Sequence, residues 1–169
     1  RFFILLLIMS LATACAEEKH KYVIGVSQCS DDEWRHQLNA ELMREMAFHP
    51  EVKMEIVTAY GSNEKQISDI EEFIRRQVDV IIVAPNKADP ITPVVEKAYD
   101  SGIPVILVDR KIKSDKYTAY IGADNYDIGL RAGEYVKSRI DGHRPVRIAE
   151  VSGMRASTPA EDRHNGFSD

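Results

Sequence analysis

The chain has 169 residues, 44% of them hydrophobic and 29% charged, with a net charge of −5. That length holds one domain with a full core and at most part of a second. Acidic residues outnumber basic ones, 27 against 22, and the basic residues are scattered, which excludes the electrostatic footprint of a nucleic-acid-binding protein. The cysteines Cys15 and Cys29 stand apart from each other and from any histidine cluster, so neither a disulfide framework nor a zinc site is encoded.

The chain opens with Arg1, an apolar run from Phe2 to Leu11, and Ala12-Thr13-Ala14. The run is about half of the roughly 20 apolar residues a membrane span needs. A charge, a short apolar stretch and a small-x-small site form a secretory signal, predicted over 1–14. Cleavage there leaves Cys15 foremost, as in a bacterial lipoprotein, and makes it the candidate for lipidation. Residues 15–21 read as a solvated linker. Arg1 in place of Met, and an end at Asp169 just after a new helix opens, read as a piece of a longer chain.

Strand and helix signals then alternate. Tyr22–Val26 is a strand-length apolar run. Asp32–Ala47 carries Trp34, Leu38, Leu42, Met43 and Met46 at helical spacing. Val52–Val57 alternates as a strand. Asn63–Gln77 is a second helix, with Ile67, Ile70, Phe73 and Ile74 on its face and Asn63 as its cap. Val78–Ala84 is a buried strand. Asp89 is expected to cap a helix that opens at Pro90 and ends at Gly102. Pro104–Val108 and Ala119–Ile121 are strands. Tyr126–Ile140 is a helix presenting Ile128, Ala132, Tyr135, Val136 and Ile140. Val146–Val151 is a further strand, and Thr158-Pro159 starts a last helix.

Continuous apolar strands alternating with amphipathic helices predict an α/β fold, a parallel sheet with helices on both faces. Ligands of such sheets sit outside the carboxyl ends of the strands. The segments there are Ser27–Arg35, Pro85–Lys87, Asp109–Lys111, Gly122–Asn125 and Ser152–Arg155. They hold carboxylates, amides and guanidinium groups beside one tryptophan, the mixture a sugar needs. Its hydroxyls both donate and accept, and its C–H face packs on an aromatic ring. No glycine-rich phosphate loop, G-x-S-x-G elbow or metal-spaced histidine pair occurs in the sequence, so no enzymatic reading, cofactor or metal is expected.

Three ordered motifs carry a resemblance. Val105-Ile106-Leu107-Val108-Asp109-Arg110, Tyr120-Ile121-Gly122-Ala123-Asp124-Asn125-Tyr126-Asp127-Ile128-Gly129 and Ala160-Glu161-Asp162-Arg163-His164-Asn165-Gly166-Phe167 resemble segments of ribose-binding-like type I periplasmic binding proteins. The effector domains of lactose-repressor-type regulators share them. The segment Ser27–Arg35 is similar to the periplasmic sensor regions of hybrid two-component kinases. The resemblance implies two lobes, 22–124 and 125–169 with the second incomplete, that close by a hinge on a monosaccharide. It implies ligand contacts from Asp109 and Arg110, from Arg163 of the second lobe, and from Trp34 where the family often stacks an aromatic ring. Asp31 falls where the family often has an amide. Arg35 and Asn86 complete the candidate site.

The implied partners are a sugar and either an inner-membrane ABC permease or a fused or partner histidine kinase. No nucleic acid is expected, and contact with a membrane only through a lipid anchor. The implied place is the periplasm. A lactose-repressor-type regulator would carry a helix-turn-helix where this chain has its signal-like stretch. A binder of another small polar molecule remains the other alternative.

Overall fold

The computed structural model describes residues 20–140, 142, 145–154 and 156–169. The predicted signal segment and Cys15 lie outside the described residues. Five strands form one parallel sheet: β1 (Tyr22–Gln28), β2 (Val52–Thr58), β3 (Val80–Val83), β4 (Val105–Val108) and β5 (Ala119–Ile121), in the order β2-β1-β3-β4-β5. The helices are α1 (Glu33–Met46), α2 (Asn63–Arg75), α3 (Ala88–Asp100), α4 (Asn125–Arg139) and α5 (Thr158–Ser168).

Register decides what each face of the sheet carries. Gly25 pairs with Ile81 and Ile81 with Val105, while Ser27 pairs with Val83 and Val83 with Leu107. These residues share one face, and α2 and α3 cover it with Ile70, Phe73, Ile91, Val95 and Ala98. Ile70, Phe73, Ile91 and Val95 each contribute about 1.5–3 kcal/mol on burial. The glycine at 25 is required, because an added Cβ would stand 2.7 Å from the Phe73 ring. Helix α1 lies on the opposite face, where Gln28 donates its side-chain N–H to Asn39 Oδ1 at 2.6 Å.

Several predicted details are corrected. Helix α1 turns Arg35 inward and leaves Trp34 54% exposed, with Met43 exposed too, because its first turn is rotated to aim Arg35 at Asp109. Ser62, not Asn63, caps α2 by accepting from the Lys65 N–H. Asp89 lies within the first turn of α3, which Lys87 precedes without a side-chain capping bond. Helix α4 packs through Asn125 and Gly129, leaving Ile128 and Tyr135 exposed. The reason is backbone proximity to α5. An added Cβ on Gly129 would stand 2.1 Å from the Arg163 carbonyl oxygen, and one on Gly166 would stand 2.1 Å from that of Tyr126. Apolar periodicity does not register a contact made by glycines.

The strand predicted at Val146–Val151 does not form, and Val146, Ile148 and Val151 are exposed. A parallel strand exists only through a neighbour to bond, and the described residues hold none for it. The segment following β4 is tied to α5 by the Lys111 N–H, which donates to Thr158 Oγ1 at 2.9 Å, and by a Lys113–Glu161 ion pair at 3.1 Å.

Candidate functional site

The carboxyl ends of β1, β3 and β4 gather Trp34, Arg35, Asn86, Asp109 and Arg110 of the groups that the sequence singled out. Asp32 ends the loop after β1 as the cap of α1. Its carboxylate accepts from the Arg35 N–H at 2.9 Å and from the Ser30 hydroxyl at 2.6 Å. The Ser30 hydroxyl and that N–H hold the Asp32 carboxyl below the usual carboxylate range. The capping turn sets the start of the helix, and one turn of helix then carries the Arg35 side chain under the sheet end.

Arg35 Nη2 donates to Asp109 Oδ2 at 2.6 Å, with the arginine side chain 3% and the aspartate side chain 33% exposed. Arg110 approaches the same oxygen at 3.6 Å through Nε and donates through Nη1 to the carbonyl of Asn86 at 3.0 Å. The Trp34 ring lies over the Arg35 guanidinium, 4.5 Å from centroid to Cζ. Trp34, Arg35, Asp109 and Arg110 thus form one cluster. Arg35 Nε and Nη1 and Gln28 Oε1 are buried without a hydrogen-bond partner among the described residues. A buried charged donor left unmet costs free energy.

The backbone at Asp109 is unusual. Its φ is 67°, and the Arg110 N–H donates across it to the Val108 carbonyl at 2.7 Å. That is a γ-turn of the positive-φ kind, which is rare and strained. Its N–H remains in the sheet, donating to the Ile121 carbonyl at 2.9 Å.

The other candidates stand apart from this cluster. The Asn86 side chain is buried and donates to the Gly61 carbonyl at 2.7 Å and to Asn63 Oδ1 at 2.8 Å, so it belongs to the wall that holds Arg110. Asp31 is exposed and pairs with His36 Nε2 at 2.6 Å; that bond raises the imidazole above its usual range. Arg163 donates to Asn125 Oδ1 at 2.5 Å, at the start of α4. No group of acidic, histidine or cysteine residues among the described residues is arranged to hold a metal.

Two supporting residues escaped the sequence reading. Gln66 is fully buried. Its Nε2 donates to the Ala84 carbonyl at 2.9 Å and to Ser27 Oγ at 3.2 Å, and its Oε1 accepts from the Asn86 N–H at 2.8 Å. Its place at i−4 from Ile70, on the buried face of α2, was the available signal. Tyr120 donates its hydroxyl to the Asp109 carbonyl at 3.1 Å. Burial first, and then the Asp109 charge, raise its phenol above its usual range.

A parallel sheet with alternating helices, and a crevice of carboxylates and guanidinium groups at its carboxyl ends, defines a small-molecule-binding α/β domain. Residues 23–169 match the model of the periplasmic binding protein domain family, and the chain belongs to that family. The fold is similar to the fructose-binding periplasmic domain of hybrid two component system BT1754, at 53% identity and a TM-score of 0.80 over 86% of this chain and 48% of that one. The galactofuranose-binding protein of Escherichia coli (strain K12) is 29% identical over 149 residues, 86% of this chain and 46% of that protein. The ribose import binding protein of Bacillus subtilis (strain 168) is 28% identical over 116 residues, 69% of this chain and 37% of that protein. The chain therefore spans between about a third and a half of the length of these relatives.

Proposed function

We propose that this chain belongs to a periplasmic receptor for a neutral monosaccharide, bound in the crevice at the carboxyl ends of β1, β3 and β4. The observation that carries the reading is the Arg35–Asp109–Arg110 cluster with Trp34 over it. Asp109 offers lone pairs to sugar hydroxyls and Arg110 offers N–H donors, the charge-assisted bonds that hold a polyol most firmly, while Arg35 holds the Asp109 carboxylate in place. The guanidinium groups already face a carboxylate, which suits a neutral ligand better than an anionic one. Trp34 offers the exposed part of its ring to the C–H face of the sugar. Asn86 acts through Arg110.

Asp31 and Arg163 approach the ligand when two lobes close. The first lobe is 22–124 and the second begins at 125, with the crossing between β5 and α4 as the hinge. Hinge closure on a ligand is a common two-lobe motion. The protein is secreted by cleavage of the 1–14 segment, with Cys15 as the site of a lipid anchor. Its output is sensory: the 53% identity to a domain of a hybrid two component system supports a kinase over an ABC permease, against 28–29% to the two binding proteins. Fructose heads the list of ligands for the same reason.

The test is a thermal-shift screen of the full-length mature protein against D-fructose, D-ribose, D-galactose, L-arabinose and myo-inositol. A ligand that binds only the folded state stabilises it by about 2.7 kcal/mol at a hundredfold excess over Kd. One sugar raises Tm, and the Asp109→Ala/Arg110→Ala variant loses the shift. An unmoved Tm with every sugar overturns the reading.

A further inference from the structure

Asp109 occupies a conformation that its own backbone disfavours. A non-glycine residue at φ 67°, inside a γ-turn, persists only where its surroundings over-determine it. Such strain is concentrated where a side chain must be aimed. The sheet bond from the Asp109 N–H to Ile121 fixes one side of the residue. The other side, its carbonyl, is held by a side chain from β5.

We propose that Tyr120 is a positioning residue for the sugar site: its hydroxyl, by holding the Asp109 carbonyl, locks the strained turn that aims the Asp109 carboxylate at Arg35 and the ligand. This rests on the sugar-binding reading given above. The hydroxyl is shared between the Asp109 carbonyl at 3.1 Å and the Ala123 carbonyl at 3.3 Å. One phenol therefore ties the end of β4 to the segment after β5, where the chain leaves the sheet. The ring is fixed as well, since it packs against the buried core and carries Lys111 Nζ 4.9 Å above its centroid.

Gly122 is the second half of the device. An added Cβ at that position would stand 2.1 Å from the Tyr120 hydroxyl oxygen. Any larger residue pushes the hydroxyl off the Asp109 carbonyl without removing it. Tyr120 and Gly122 thus offer two independent ways to break the same bond, one by deletion and one by displacement.

The experiment measures affinity in the full-length mature protein for whichever of D-fructose, D-ribose, D-galactose, L-arabinose and myo-inositol binds tightest. Calorimetry reads the affinity, and NMR titration extends it to weak binding. Tyr120→Phe keeps the ring and loses the hydrogen bond, and its affinity falls about 3- to 10-fold with Tm close to that of the parent. Gly122→Ala reproduces the loss, and it carries the comparison if Tyr120→Phe does not fold. In Asp109→Gly, which has neither a carboxylate to aim nor a strained φ, both substitutions lose their effect on affinity. Additive losses in that background make Tyr120 a structural residue and overturn the proposal. So does parental affinity in both single variants alongside weakened binding by Asp109→Gly. Failure of the parent protein to bind any of the five sugars overturns the sugar-binding reading itself, and the role of Tyr120 with it.

Discussion

Arg35 Nη2 and Asp109 Oδ2 lie 2.6 Å apart although 74 residues separate them in sequence. The pair joins the first turn of α1 to the strained end of β4, so it links the two halves of the crevice. Truncating one member of a buried pair leaves the other charge unmet, at about 3–5 kcal/mol. Asp109 remains a third exposed, so Asp109→Ala is expected to cost less, about 2–4 kcal/mol. Asp109→Gly loses the same carboxylate but suits φ 67°, and is expected to be more stable than Asp109→Ala by about 1 kcal/mol. Urea unfolding of the two variants separates the effects. Equal stabilities would show that the backbone at Asp109 holds no strain.

Gly25 gives a cleaner test of packing. Its missing side chain is the space in which the Phe73 ring lies, with Phe73 2% exposed. Gly25→Ala must move a buried ring or the strand, and overpacking of this kind costs about 1–3 kcal/mol. Phe73→Leu in the Gly25→Ala background is expected to be less harmful than either loss added to the other, because the two residues compete for one volume. Thermal unfolding of the four proteins of that cycle gives the coupling.

Acid is expected to loosen the outer edge of the sheet before the core. Glu55 on β2 accepts from both terminal nitrogens of Arg76 at 2.6 and 2.9 Å, and pairs with Lys53. Arg76 first, and Lys53 second, hold its carboxyl down at about 2 from the usual 4.5. The folded value lies below the unfolded one, so this contribution is complete above the unfolded value and lost as pH falls through the folded one. Glu55→Gln is expected to cost about 1–2 kcal/mol at pH 7. By pH 3 the difference from the parent falls below about half. Urea unfolding at both pH values checks the sign; a difference that grows at pH 3 would contradict the pairing.

What was legible in the sequence followed from burial. The inner strands β1, β3 and β4 stood out as continuous apolar runs, β2 by its alternation, and Asp109 and Arg110 because they follow β4. Helix α1 shows where that legibility ended. Apolar spacing pointed Trp34 inward, but a guanidinium with a carboxylate to reach took the inward position, and hydrophobic pattern is blind to that. Helix α4 shows the same limit, because its contact with α5 is made by glycines. The run Val146–Val151 had the composition of a strand and no neighbour to make it one, since strands are made by partners and not by propensity alone. The γ-turn at Asp109 left no trace, because aspartate, though more tolerant of positive φ than most residues, is far more often found at negative φ.

Gln66 is the residue whose removal tests how far the crevice depends on its wall. It is an amide with no exposed surface on a helix face otherwise occupied by Ile70 and Phe73. Its two ends satisfy the Ala84 carbonyl, Ser27 Oγ and the Asn86 N–H. Gln66→Leu fits the volume but leaves those groups buried and unmet, and each buried unmet group costs about 1–3 kcal/mol. Since the three groups share one site and relax together, a total loss of about 2–4 kcal/mol is expected. The Asn86 carbonyl accepts from Arg110, so a shift of the Asn86 peptide also displaces that guanidinium. Sugar affinity is therefore expected to fall in Gln66→Leu even at temperatures where the variant is fully folded. Calorimetry at 15 °C, with folding checked by circular dichroism, separates the two effects. An unchanged affinity in a destabilised variant would confine Gln66 to the core and detach Arg110 from the wall behind it.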